Sequence, residues 1–150
     1  MVIYFGADHR GFALKEKLKD YVKGLGYEIF DLGNAQLDPA DDYPVYADLV
    51  AKKVAEAPEE NKGVVLCGSG SGAAIAANKE KSVRAALALS TDQVFDSRHD
   101  DNVNVLALAA DFTSPEDAQK LIRIFLETPY AKDERFERRL KEIKDIEKNA

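Results

Sequence analysis

Short apolar runs alternate with segments of helical periodicity along this chain, and that alternation limits the folds open to it. In the helical segments an apolar residue recurs every three or four positions, as at Leu14, Leu18, Val22 and Leu25. The apolar runs are too short to be helices and are typical of strands, at residues 2–7, 27–33, 63–67, within 82–90, and 103–110. A chain of 150 residues is long enough to bury these runs in one core.

Strands separated by helices predict right-handed crossovers, which produce a parallel sheet. We therefore expect an α/β fold of three layers, in which a five-stranded, Rossmann-like parallel sheet is doubly wound by helices on both faces. Such sheets bind ligands at the carboxyl ends of their strands. That edge would contain the residues that directly follow the strands: Asp8, His9, Arg10, Asp31, residues 67–72 and Thr91.

The charged helix predicted at about residues 133–148 is too polar to form a layer of the core. Its apolar side chains form one narrow stripe, made of Phe136, Leu140, Ile143 and Ile146. We therefore expect this helix to protrude from a single domain of residues 1–150 and to pack on a partner subunit.

Charge and composition argue against several kinds of partner. A formal net charge of −6 does not suit a nucleic-acid binder, which needs a basic face. No apolar run approaches the roughly 18–20 residues of a membrane span. Cys67 is the only cysteine and has no internal disulfide partner, which favours a reducing cytoplasm. One cysteine and two distant histidines do not form a metal-ligand set, so no metal is expected.

Glycines alternate with other residues between Cys67 and the alanine-rich helix that follows, at Gly68, Gly70 and Gly72. The spacing differs from the dinucleotide-binding fingerprint, and no lysine paired with serine or threonine follows, as it would in a P-loop. Backbone N–H groups at the start of a helix attract an anion. A bare strand-to-helix turn is the alternative, but three glycines and two serines in five positions favour an anion site.

Cys67 ends the third predicted strand, directly before that loop. A buried cysteine is usually an inert small hydrophobe, so a structural role is the alternative. Beside several N–H groups and a helix N-terminus, however, the thiolate form is favoured. A thiolate can remove a proton from carbon while the same N–H groups hold the oxyanion that forms next to it. The cysteine and the loop would then serve one mechanism.

Three further groups of polar residues are candidates for function. His9 follows Asp8 at a strand end, a position that does not suit a structural residue of the core. Arg135 and Arg139 share a helix face and could clamp a phosphate, although arginines in a charged tail usually mark a solvated face. The acidic residues after the second strand could hold a cation but fit a solvated turn better: Asp38, Asp41 and Asp42.

Five stretches of the chain form a recognisable series: GADHRGFALKEKLK from Gly6, DYPVYA from Asp42, CGSGSGAAIAANK from Cys67 with the following VRAA, NVLALA from Asn104 and RFERRL from Arg135. In this order they resemble the motifs of the ribose-5-phosphate isomerase B family, which also contains the subunits of galactose-6-phosphate isomerase. The resemblance extends through nearly the whole chain.

The resemblance implies a doubly wound dimer with active sites shared by two chains, and a cofactor-free aldose–ketose isomerisation of a phosphorylated sugar. In this interpretation Cys67 moves a proton between C1 and C2 through a cis-enediolate, and Ser69 orients a hydroxyl. The sugar and the enediolate would be bound by Asp8, His9, Gly68, Gly70, Ser71 and Gly72. The phosphate would be bound by His9, Arg10, Arg135 and Arg139, the last two from the partner chain.

The chain departs from the family pattern before its last predicted strand. When the sequences are aligned on Arg98 and Asn104, the family's ring-opening histidine and the next asparagine become Asp100 and Asp101. His99 lies one residue earlier, which on a helix is a rotation of about 100°. Asp100 and His99 are therefore the candidates for ring opening, and Asp101 is a candidate substrate ligand.

Phe136 also stands where the family has a histidine. Two alternatives to a homodimeric isomerase follow from these substitutions. One is a non-catalytic protein that binds a sugar phosphate, and the other is one subunit of a hetero-oligomeric isomerase. The sequence leaves open which sugar phosphate is used and whether dimers pair further into tetramers.

Overall fold

The computed structural model describes residues 1–150 and is organised around one sheet. Its strands are β1 (Val2–Ala7), β2 (Glu28–Asp31), β3 (Lys62–Cys67), β4 (Ala85–Leu87) and β5 (Val105–Ala109). All neighbouring strands are parallel, in the order β2-β1-β3-β5-β4. The predicted five-stranded parallel sheet is confirmed, with β4 at the edge outside β5.

Helices cover both faces of the sheet. They are α1 (Phe12–Gly24), α2 (Tyr43–Ala55), α3 (Ser71–Ala77), α4 (Thr91–His99), α5 (Pro115–Glu127) and α6 (Glu134–Lys148). The apolar sides of α1, α4 and α5 pack into one core layer, and those of α2 and α3 pack into the other. None of these helices combines the length and the apolar character needed to cross a membrane.

The central strand β3 is buried along its whole length. Successive side chains of a strand point to opposite faces, so Val64 and Leu66 contact the α1 layer while Val65 and Cys67 contact the α2 layer. A strand covered by helices on both faces is mostly apolar, which explains the continuous run at residues 63–67 that predicted it. The same alternation directs the Cys67 side chain toward α2 and α3.

Two helix boundaries follow from the preferences of the residues that form them. Ser114 precedes α5, and its hydroxyl accepts a hydrogen bond from the Asp117 N–H at 3.1 Å. Gly26 ends the first helical segment with φ +92°, and its N–H donates to the Lys23 carbonyl at 2.9 Å. This left-handed conformation favours glycine because it has no Cβ.

The chain winds outward in opposite directions from β1 and β3, which are neighbours in the sheet. From β1 it continues to the edge strand β2, whereas from β3 it continues to β5 and β4 on the other side. The loops that follow β1 and β3 therefore separate and leave a crevice at the carboxyl edge, where such sheets bind ligands. The Asp8 N–H donates to the Leu66 carbonyl at 3.4 Å, which joins the two loops at this point.

Helix α6 packs partly on its own chain. Phe136 and Leu140 are buried in the single subunit, whereas Ile143 and Ile146 are 39% and 69% exposed. Near the end of the helix, the Glu147 carboxylate accepts the Ser82 N–H at 3.2 Å. The first half of the apolar stripe is therefore covered within the chain, and packing on a partner stays a prediction for the second half.

Candidate active site

Cys67 is the last residue of β3 and is 3% exposed. Gly68 and Gly70 are buried beside it, Ser69 and Ser71 are exposed, and Gly72 is half-buried in the first turn of α3. The structure therefore brings the thiol and the whole glycine loop to one place at the carboxyl edge, as the sequence predicted.

The glycine loop contains three consecutive backbone donors that are free. The N–H groups of Gly68, Ser69 and Gly70 donate to no acceptor within the chain. Gly70 has φ +73° and directly precedes α3, whose first N–H groups also lack helical partners. A row of free N–H groups can stabilise negative charge that develops on a bound oxygen.

Gly70→Ala should destabilise the protein by about 2–4 kcal/mol, because it combines a left-handed backbone with a steric overlap. A Cβ there would lie 2.5 Å from Leu87 Cδ1 and 3.0 Å from the Ala109 nitrogen. Gly24→Ala is the matched control, since a Cβ at that helical position meets no atom within 4 Å. We expect Gly24→Ala to leave the melting temperature unchanged or to raise it. Equal melting temperatures for the two variants would contradict the assigned loop conformation.

Asp8 is buried at the end of β1 and shapes the loop beside Cys67. Its Oδ1 accepts the N–H groups of Arg10 and Gly11 at 3.0 and 3.1 Å. Gly11 lies so close to β3 that a Cβ would stand 2.7 Å from Leu66 Cβ. These contacts assign Asp8 a structural function in the loop, and its binding of sugar hydroxyls stays a prediction.

Arg10 lies directly over the glycine loop. Its guanidinium occupies the space next to Gly68, where any Cβ would overlap it, and it forms an ion pair with Asp111. The Asp111 N–H in turn donates to the Gly68 carbonyl at 3.0 Å. Asp111 was not among the predicted site residues, although its position directly after the last predicted strand could have indicated it. A cation is thus held beside the free N–H groups.

His9 is held by Asp41, which lies 32 residues away in the sequence. Asp41 Oδ1 accepts the backbone N–H of His9 at 2.7 Å and contacts its Nδ1 at 2.9 Å. The hydrogen bond that the His9 ring donates to Asp41 raises the pKa of His9, and the nearby charge of Asp8 adds to this. Burial alone would raise the pKa of Asp41, but the hydrogen bonds from His9 and Asn34 outweigh it and lower that pKa.

The expectation of a solvated acidic turn after β2 is wrong for Asp41, whose side chain is only 6% exposed. The carboxyl ends of β1 and β2 are adjacent, so the loop after β2 folds over the residues that follow β1. Tyr43 at the start of α2 was also missed as a site residue. A Cβ at Gly72 would lie 2.5 Å from Tyr43 Cζ, so this ring packs on the first turn of α3.

Asp31 was singled out by its position after β2, but the structure places it in a network of charged side chains. Lys15 is fully buried, and its Nζ donates to both carboxylate oxygens of Asp31 at 2.9 and 2.7 Å. Lys19 also reaches Asp31, at 2.6 Å. Burial would raise the pKa of Asp31, but these lysines outweigh it and lower the pKa. This network supports the loop rather than offering a free ligand.

The remaining predicted site residues lie at the amino edge of the sheet, opposite Cys67. Helix α4 runs from the carboxyl end of β4 back to the amino end of β5, so His99 and Asp100 lie at the amino edge. His99 Nδ1 is 2.7 Å from Asp100 Oδ1. The His99 ring stacks on Phe95 with centroids 5.2 Å apart and meets the edge of Phe136 at 5.8 Å.

Asp101 and two arginines of α6, Arg135 and Arg139, form an amino-edge cluster together with His99 and Asp100. Burial and the charge of Asp100 raise the pKa of Asp101, and Arg139 acts in the opposite direction. Arg135 lies over the Phe136 ring, with its Cζ 4.8 Å from the centroid. Since β3 has six residues, about 20 Å separates this amino-edge cluster from Cys67 at the other end of the sheet. One subunit does not bring its two groups of predicted site residues together.

The crevice beside Cys67 is open in the single chain, because none of its five cavities is lined by Cys67 or the glycine loop. The nearest is a 200 Å³ cleft along Arg10, Leu14 and Lys17. No group of three or more histidine, cysteine or acidic side chains is placed to hold a metal ion. The carboxyl edge beside Cys67 is therefore not enclosed within the single chain.

The chain is similar to known proteins over nearly its whole length. The ribose/galactose isomerase family profile matches residues 3–143. The chain belongs to this family. A probable ribose-5-phosphate isomerase B of Mycoplasma genitalium is 36% identical over 146 residues, covering 97% of this chain and 95% of that relative. The Mycobacterium tuberculosis ribose-5-phosphate isomerase B is 33% identical over 148 residues, covering 99% of this chain and 91% of that relative.

Solved structures of family members have the same fold. The Mycoplasma genitalium ribose-5-phosphate isomerase B with bound ribulose 5-phosphate matches with a TM-score of 0.95 at 36% identity, covering 99% of this chain and 97% of that one. The type B enzyme of Trypanosoma cruzi matches at 0.93 and 37% identity, with the same coverage. The three-layer fold and the expected enzyme class, an aldose–ketose isomerase, are confirmed.

Proposed function

We propose that this protein interconverts a phosphorylated aldose and its ketose, of the ribose 5-phosphate and ribulose 5-phosphate type, without a cofactor. The observation that carries the proposal is the buried Cys67 thiol next to three free N–H groups, those of Gly68, Ser69 and Gly70. This arrangement suits a reaction in which a proton leaves carbon as negative charge forms on the adjacent oxygen. A free cysteine at the centre of the site also suits a reducing cytoplasm.

In the proposed reaction, the Cys67 thiolate takes the proton from C2 of the open-chain aldose. The C–H electron pair forms the C1–C2 double bond, and the carbonyl electrons move onto O1, which the loop N–H groups stabilise. The hydroxyl proton of O2 passes to O1, and the Cys67 thiol returns its proton to C1. The C2 carbonyl of the ketose results, and Ser69 and Ser71 are placed to orient hydroxyls of the chain.

The phosphate of the substrate would bind between two groups of cationic side chains. His9 and Arg10 lie at the carboxyl edge near Cys67, whereas Arg135 and Arg139 lie on α6 at the amino edge. The relative from Mycoplasma genitalium binds ribulose 5-phosphate, a substrate of the proposed length. Arginine binds phosphate through paired N–H donors. Because the cationic side chains are divided between the two edges of the sheet, we predict that both groups are needed to bind the phosphate.

We propose that a homodimer completes each site, with Cys67 from one subunit facing the amino-edge cluster of the other. Three observations support this: the two clusters are about 20 Å apart in one chain, no cavity encloses Cys67, and Ile143 and Ile146 remain exposed. A twofold dimer would form two identical sites. Sedimentation should give twice the 16.6 kDa chain mass or, if dimers pair, four times that mass.

His99 and Asp100 would supply the acid and base for ring opening as one hydrogen-bonded pair. The Asp100 carboxylate accepts from Nδ1, so the Nε2 of His99 remains available for the ring oxygen of a sugar held by the partner. Asp101 is the proposed substrate ligand next to this pair. In this proposal His99, in contact with Asp100, would take the family's acid–base role, although the aligned residue is an aspartate.

The test is an isomerisation assay of the purified protein with a panel of phosphorylated pentoses and hexoses. We expect turnover of ribose 5-phosphate by the protein alone. Binding without turnover of any sugar would instead identify a non-catalytic sugar-phosphate-binding protein. Activity that appears only after a second, different chain is added would identify a subunit of a hetero-oligomeric isomerase.

A further inference from the structure

The loop between β2 and α2 holds the Asp41 carboxylate against His9, and both carboxylate oxygens have hydrogen-bond partners, which is unusual for a surface turn. Asp41 Oδ1 accepts the His9 backbone N–H at 2.7 Å and faces the His9 ring nitrogen Nδ1 at 2.9 Å. Asp41 Oδ2 accepts from Asn34 Nδ2 at 2.9 Å. Both oxygens are therefore used, and the side chain is 94% hidden from solvent, since 6% is exposed.

Asp41 is in turn anchored to the buried interior of the fold. The backbone carbonyl of Asn34 accepts from Lys15 Nζ at 3.1 Å, and Lys15 is fully buried against Asp31. Gly33 allows this approach, because a Cβ there would lie 3.0 Å from the same Nζ. The position of Asp41 is thus determined by a connected set of hydrogen bonds that reaches the core, whereas a flexible loop would leave it free.

We propose that Asp41 is a positioning residue, which holds the His9 ring with Nδ1–H toward its carboxylate and thereby presents Nε2–H as a cationic donor to the substrate phosphate. A carboxylate has no proton to give, so the proton of this contact belongs to Nδ1. Nε2 has no partner within the chain, and the His9 side chain is 34% exposed at the crevice. The choice of phosphate as the ligand rests on the function proposed above.

The charges around the pair favour the imidazolium form of His9. Besides Asp41, Asp8 in the same loop acts on His9, and Tyr46 on α2 interacts with Asp41. The pKa of His9 is raised above its ordinary value of 6.5 by Asp41 and Asp8, and burial and Asp41 raise that of Tyr46, which stays neutral. The cationic donor is therefore present below pH 6.5 and persists above it, until the pH passes the raised pKa.

Nuclear magnetic resonance of the two histidine rings tests the contact without reference to catalysis. In a His99→Gln background, only His9 contributes ring signals. We expect the Nδ1–H form at high pH and a pKa that falls when Asp41→Asn is added. Asp38→Asn is the matched control, because it removes a charge from the exposed part of the same loop and should leave the His9 titration unchanged. An unchanged titration in Asp41→Asn would overturn the proposal.

Kinetics test whether the contact acts on the substrate phosphate. Asp41→Asn should raise KM for ribose 5-phosphate about tenfold at pH 7.5, with a smaller change in kcat, because a charged hydrogen bond to phosphate is weakened. The fall of kcat/KM at alkaline pH should begin at lower pH than in the wild type. Asp38→Asn should change neither KM nor the pH at which kcat/KM begins to fall.

A double-mutant cycle separates positioning from general loss of structure. If Asp41 acts through His9, adding Asp41→Asn to His9→Gln should raise KM no further. If the two substitutions instead multiplied their effects on KM, Asp41 would act independently of His9, which overturns the proposal. If the wild-type protein turned over no sugar, the proposed function would fail, whereas the ring titrations would still decide whether Asp41 controls His9.

Discussion

Replacing Cys67 with alanine is expected to lower kcat on ribose 5-phosphate by about a hundred- to ten-thousandfold, the usual contribution of a positioned base. The thiol is the only side chain of the glycine-loop turn that can take a proton from carbon, since its neighbours there are glycines and serines. Incorporation of solvent deuterium at C2 should stop to the same extent. Binding of the sugar phosphate should persist, because the loop N–H groups and Arg10 are unchanged.

Val65→Ala is the matched control for this variant. Val65 is on the same strand and contacts the same α2 and α3 layer, two residues before Cys67. Its truncation should reduce the free energy of unfolding by about 2 kcal/mol while leaving kcat near the wild-type value. Turnover that survives in Cys67→Ala would exclude Cys67 as the base, and a base outside the glycine loop would then have to take the proton from C2.

Two inactive variants are expected to restore each other's activity when their chains form a mixed dimer. One is Cys67→Ala, and the other is the double variant Arg135→Ala/Arg139→Ala, which alters only the amino-edge cluster. In a shared-site heterodimer one site carries both defects, whereas the other combines an intact Cys67 with the intact arginines of its partner. A purified heterodimer should therefore have about half the wild-type activity.

A second pairing provides the control for that experiment. Cys67→Ala and His9→Gln both alter the carboxyl edge, so each site of their heterodimer contains one defect, and the heterodimer should be no more active than the His9→Gln dimer. Tags of two kinds on co-expressed chains allow the heterodimers to be isolated. Equal failure of both pairings would mean that each chain forms its own site, contrary to the separation of about 20 Å along the sheet.

The class of fold was predictable because its signals are local. The apolar runs and helical repeats report burial within a few residues of each position, and β3 is a run of this kind, covered on both faces. The cap at Ser114 and the left-handed Gly26 likewise follow from local backbone preferences. The cysteine and its glycine loop were also found from sequence, since one strand end and one helix start position them together.

Other features required contacts between distant parts of the chain. Asp41 was interpreted as part of a solvated turn, but it is buried on His9, 32 residues away. The ion pair between Arg10 and Asp111 joins residues 101 positions apart. Phe136 and Leu140 belonged to a stripe assigned to a partner, yet their own chain covers them. No short-range pattern distinguishes these arrangements from the ones expected.

The sequence by itself determined the strands, the helices, the glycine loop and the placement of Cys67 at its start, because each follows from the periodicity and backbone preferences of adjacent residues. Only the tertiary structure decided which polar side chains meet. The order of strands in the sheet sets the loop after β2 over His9 and the loop after β5 beside Gly68. It also separates His99 and Asp100 from Cys67, since a parallel sheet gathers strand ends at one edge and strand starts at the other.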